Sequence, residues 1–103
     1  MVSHASDMND LVSAIMILDY PFIADRAEKI ASDVSLSRPV TGDATELNAL
    51  LPERFFVYQD RVKFEARGLV EAAGAADPYQ VASKYGRLAE SCVGCHADYR
   101  PRR

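Results

Sequence analysis

Apolar residues recur along this chain at intervals of three and four. Met8, Leu11, Val12, Ile15 and Leu18 form one such stripe. That is the period of a helix with one buried face, not the two-residue alternation of a half-buried strand. It predicts a first helix over residues 6–19, with Ser6 or Asp7 capping its free N–H groups. Asp19 and Tyr20 interrupt the pattern, and Pro21 suits the first turn of a second helix reaching about residue 34. There Ile23, Ala27, Ile30 and Val34 face inward, while Asp25, Arg26, Glu28 and Lys29 face water.

Residues 35–43 hold Pro39, Gly42 and several hydroxyl side chains, the composition of a loop. Asp43 with Glu46 resembles a capping box, so a short helical turn is expected over 44–50. Pro52 opens a third helix running to about residue 73, with Phe55, Val62, Ala66, Leu69 and Ala73 on its buried side and Gly74 as its stop. The fourth helix has the clearest start: Asp77 caps, Pro78 takes the first helical position and Gln80 completes the box. Its stripe is Val81, Tyr85, Leu88, Cys92, Cys95, His96 and Tyr99, and Pro101 ends it. Four helices with mostly short links predict an all-α, antiparallel four-helix bundle. Residues 1–103 are read as a single domain, without internal repeats.

Composition narrows the picture. The 103 residues are 49% hydrophobic and 26% charged, with few glycines and prolines, as expected of a globular helical fold. A net charge of −3 gives no sign of a nucleic-acid partner, and no apolar run is long enough to span a membrane. A domain this small buries a modest fraction of its surface and benefits from a disulfide, a metal or a partner subunit.

The chain has only two cysteines, both in "SCVGCHADYR", residues 91–100. Positions i, i+3 and i+4 share a helix face, so Cys92, Cys95 and His96 are expected to point the same way, inward along the stripe. C-x-x-C-H is the spacing that attaches a c-type haem. Two thiols one turn apart add to the porphyrin vinyl groups, and the adjoining imidazole reaches the iron. Three other readings compete. A redox dithiol belongs at a helix start, where the dipole lowers the thiol pKa. A closed zinc site wants four ligands, and His4 would have to complete the set. The third is chance. The haem reading expects one covalent haem c per chain and, because attachment occurs on the export side of a membrane, a periplasmic protein whose precursor carries a signal peptide that this sequence lacks.

"CVGCHADYR" near the end of a four-helix chain resembles the cytochrome c′ group, the class II c-type cytochromes. The group's motif continues after the histidine with two residues, an aromatic and a basic residue, here Tyr99 and Arg100. The resemblance spans the chain in helix order and is specific over residues 92–100, in a chain shorter than usual for the group. It implies that Arg100 lies beside the haem on the His96 side, where its charge also suits the helix dipole. It implies that Tyr99 and Tyr85 pack the haem edge, and that two chains pair through the first and second helices.

The sixth iron ligand stays open at this stage. In an up-down-up-down bundle the first helix begins where the fourth ends, so its early turns cover the far face of a haem attached there. Met8 and His4 lie in those turns; Met16 is two turns too far along. Met8 as an axial thioether raises the reduction potential, His4 lowers it, and with neither the site is open to gases. Met8 on an apolar stripe is also ordinary core. Leu11, Val12 and Phe55 or Phe56 are expected to line the haem as apolar wall.

The leading functional expectation is an electron carrier, not an enzyme, with His96 and Met8 on the iron. Arg100, Arg102 and Arg103 put positive charge at the haem end, suited to an acidic redox partner protein. The alternative is a five-coordinate protein that binds nitric oxide or carbon monoxide. A haem sensor module cut from a larger protein is the third possibility.

Overall fold

In a computed structural model of the chain, residues 2–33 and 52–99 are described. Among them are four helices and no strand: α1 (Val2–Met16), α2 (Tyr20–Ala31), α3 (Glu53–Gly74) and α4 (Pro78–Tyr99). The expected loop at 35–43, the turn at 44–50, Val34, Arg100 and the residues after it lie outside the described residues. No described helix is long and apolar enough to cross a membrane.

Two tight connections make helical hairpins, and both use the same device. The Leu18 N–H donates to the Ile15 carbonyl (3.1 Å) and the Asp19 N–H to the Ala14 carbonyl (3.0 Å), with Leu18 in the left-handed region at φ 56°. After α3, Ala76 donates to Ala73 (3.0 Å) and Asp77 to Ala72 (3.2 Å), with Ala76 at φ 53°. This is the Schellman pattern, which satisfies the orphaned carbonyls at a helix end. Glycine usually fills its left-handed position; here a leucine and an alanine do, at about 1–2 kcal/mol each. Each turn then delivers an aspartate that starts the next helix. Asp19 Oδ1 accepts from the Phe22 N–H, and Asp77 Oδ1 accepts from those of Tyr79 and Gln80.

The boundaries differ from the expected ones chiefly in α1. It begins at Val2, so Ser6 and Asp7 lie inside it rather than at a cap. It stops at Met16 because Leu18 reverses the backbone. Gly74 ends α3, but the left-handed residue is Ala76, two positions on.

The four helices form a ring of contacts, α1–α2–α3–α4, closed by α1 against α4. The α2–α3 and α3–α4 interfaces are broad, α1–α2 is narrower, and α1–α4 is the thinnest. The hydrophobic core runs through Leu11, Ala14, Ile23, Ala27, Ile30, Val62, Ala66, Leu69, Ala72, Ala73, Val81 and Leu88. Many of these are alanines, which lets facing helices approach closely. The α3 seam departs from expectation at its start: Phe56 and Gln59 are buried, while Phe55 is half-buried.

Candidate functional site

The site lies at the end of the molecule where α4 finishes and α1 and α3 begin. Helical periodicity sets Cys92 and Cys95 one turn apart on α4, with His96 next to the second. Opposite them α1 presents His4, Ala5 and Met8, and α3 contributes Gln59 and Val62. These eight residues line one cavity of about 90 Å³. That is smaller than the roughly 300–1,000 Å³ typical of small-molecule and cofactor clefts. The walls are largely hydrocarbon, and the donors that punctuate them come from two different helices.

Burial varies around the cavity. Cys95 is buried and Cys92 half-buried, and both are free thiols. Met8 is half-buried and packs against the core cluster. His96 lines the cavity yet remains exposed, although the stripe predicted an inward direction. It occupies the last turn of α4, at the rim.

The thiols are held in the neutral form. Burial pushes the Cys92 pKa up, with a smaller push from Cys95. Burial also raises the Cys95 pKa, with a further push from the carboxylate of Asp98. A redox dithiol needs the opposite, a thiolate stabilised by positive charge or a helix N-terminus. Among the described residues no three His, Cys, Asp or Glu side chains are grouped to hold a bare metal ion. The closed zinc site with His4 as a member therefore gains no support from the geometry.

Polar bonds hold the two helical walls. His4 Nε2 bonds the carboxylate of Asp33, just past the end of α2, so that ring nitrogen is already engaged. The Tyr85 hydroxyl donates to the backbone carbonyl of Met8 at 3.2 Å. On the α3 side Tyr58 donates to Asp98, and Arg54 Nη2 lies 2.5 Å from the same carboxylate. This anchors the last turns of α4, which carry the thiols and the imidazole. The bond to Asp98 raises the Tyr58 pKa, partly opposed by Arg54.

The other expected wall residues are placed differently. Leu11 is fully buried in the core and Phe56 is buried, but neither lines the cavity. Val12 is 40% exposed and belongs to a shallow groove beside the cavity, shared with Ala5, Ser6, Met8, Asn9 and Tyr85. Met16 is 76% exposed. Tyr99 closes α4, and Arg100 falls outside the described residues. Gln59 went unnoticed in the sequence. Its signal was position: it lies three residues before Val62, in register with Ala66 and Leu69 on the buried seam. The Tyr58–Asp98 and His4–Asp33 bonds join residues distant in sequence and leave no local pattern.

Comparison with family models, curated proteins and solved structures finds no match to this chain.

Proposed function

We propose that the chain is a c-type cytochrome that carries electrons, with one haem that Cys92 and Cys95 would attach and His96 and Met8 would ligate. The observation that carries this reading is the shared cavity. The C-x-x-C-H residues on α4 and a methionine from the first turns of α1 line the same space, although they stand near opposite ends of the chain. A bound haem iron accepts and returns one electron.

The donor set fits that group. Two neutral, shielded thiols suit addition to apolar vinyl groups, and hydrocarbon walls exclude water and set the dielectric around the metal. Met8 is favoured over His4 because the His4 ring is bonded to Asp33. A thioether ligand with an imidazole places the potential towards the high end of the haem range. On this reading attachment requires export, so the compartment is the periplasm. The partner is an acidic redox protein met by Arg100, Arg102 and Arg103.

One observation favours the alternative, a gas-binding protein with five-coordinate iron. The α1–α4 interface is thin, and an open groove runs past Met8. The two readings part in the spectrum of protein matured with a haem-attachment system. Sharp, split visible bands and slow carbon monoxide binding to the ferrous form support the carrier; a broad high-spin spectrum with rapid binding supports the gas binder. Colourless protein, or pigment extracted by acidified organic solvent, removes both.

A further inference from the structure

Tyr85 stands on the inward stripe of α4, roughly two turns before Cys92. Of the hydrogen bonds among the described residues, one crosses from α4 to α1: the Tyr85 hydroxyl to the carbonyl of Met8, at 3.2 Å. It falls at the thinnest of the four interfaces. The acceptor belongs to the residue whose thioether faces the cavity. A carbonyl has two lone pairs, so this one takes the phenol without leaving its helical partner. Packing alone does not fix this turn of α1, because Met8, Asn9 and Val12 border an open groove on the Tyr85 side. A phenylalanine at 85 would supply the same ring without the bond.

We infer that Tyr85 is a positioning residue: its hydroxyl fixes the turn of α1 that carries Met8, and so sets how firmly the Met8 sulfur occupies the sixth iron position. This rests on Met8 being a ligand. The bond acts on one helix wall and not on the fold as a whole, since α1 remains tied to α2 through His4–Asp33 and Asp10–Arg26. Its loss shifts the balance from ligated to open iron by roughly five-fold, the effect of one neutral hydrogen bond.

The test compares four matured proteins: wild type, Met8→Ala, Tyr85→Phe, and Ile30→Val. The last removes one buried methylene from a core residue that does not line the cavity, a loss similar in size to one hydrogen bond. Three readouts are taken: the weak red charge-transfer band of methionine on ferric iron, carbon monoxide affinity of the ferrous form, and amide exchange along α1. The expected result is a band abolished in Met8→Ala and weakened in Tyr85→Phe. Tyr85→Phe should also bind carbon monoxide roughly five-fold more tightly and exchange its amides around residue 8 faster than wild type. Ile30→Val should change none of these. Should Tyr85→Phe match wild type in all three while Met8→Ala loses the band, Tyr85 is not a positioning residue. A Met8→Ala spectrum identical to wild type strikes instead at the ligand itself; faster α1 exchange in Tyr85→Phe would then show that the tether holds but serves no iron site.

Discussion

The two ends of this molecule are built on different terms. At the hairpin end, α1 turns into α2 and α3 into α4, and the space between them is filled by Ala14, Ile23, Leu69, Ala72, Ala73 and Val81. At the other end α1, α3 and α4 line a cavity bounded by thiols, two imidazoles, a thioether and a buried amide. One half is filled by side chains; the other leaves a cavity between its helices. A chain of this length has little core to spare, so on the proposed reading the loosely packed half is where a haem would add buried contact.

The sharpest way to break this contrast is to remove the anchors. Replacing both Cys92 and Cys95 with alanine should abolish covalent pigment. Amide exchange should then accelerate along the first turns of α1 and the last turns of α4, while the hairpin end keeps its protection. Mass spectrometry and exchange read both, and uniform loss of protection would mean that the halves are not separable.

Next in size, Leu69→Ala, in the filled half, should cost about 2–5 kcal/mol in denaturant unfolding. Matured protein should keep its visible spectrum under native conditions. Val62→Ala should cost less, because that side chain already borders empty space.

A third outcome concerns the thiols in protein made without haem attachment. Burial raises both pKa values above the ordinary 9.0. Alkylation at neutral pH should therefore be slower than for an exposed cysteine, and its rate should climb only at alkaline pH. Because the folded pKa is raised, the stability these thiols contribute is present below pH 9.0 and fades as pH rises through the shifted value. Fast alkylation at neutral pH would revive the redox-dithiol reading.

Ala76→Gly should stabilise the protein by about 0.5–1 kcal/mol, the left-handed strain relieved less the added freedom of the unfolded chain. A thermal melt checks it, and a drop in midpoint would contradict the strain. The smallest effect belongs to Tyr58. Its raised pKa means that the Tyr58–Asp98 bond helps below pH 10.0 and is lost as pH rises through the shifted value. The stability difference between wild type and Tyr58→Phe should shrink above that pH.

The hairpin end was the more legible in the sequence. Asp19–Pro21 and Asp77–Pro78 are local capping signals, and the stripes through Ile23–Ala27 and Ala66–Leu69 are simple periodicities. The thiols and imidazole were legible because their spacing is itself chemical information. The facing wall was only partly so. Met8 followed from topology, because an antiparallel ring brings the first helix beside the last. Leu11, adjacent on the same stripe, was expected at the cavity but falls in the core: three positions along a helix rotate a side chain and raise it about 4.5 Å. The start of α1 was misjudged because His4 is secured by Asp33, a partner no local pattern reveals.

Both tight turns lie at the same pole, so the contacts there join residues close along the chain. The cavity pole depends on bringing the first helix to the last, the widest sequence separation available. Loops of that span close late, after nearby pairings have formed. Newly made chain would thus gather its two hairpins while the thiol-bearing tip of α4 is still accessible, and the seating of α1 would be the closing step of folding.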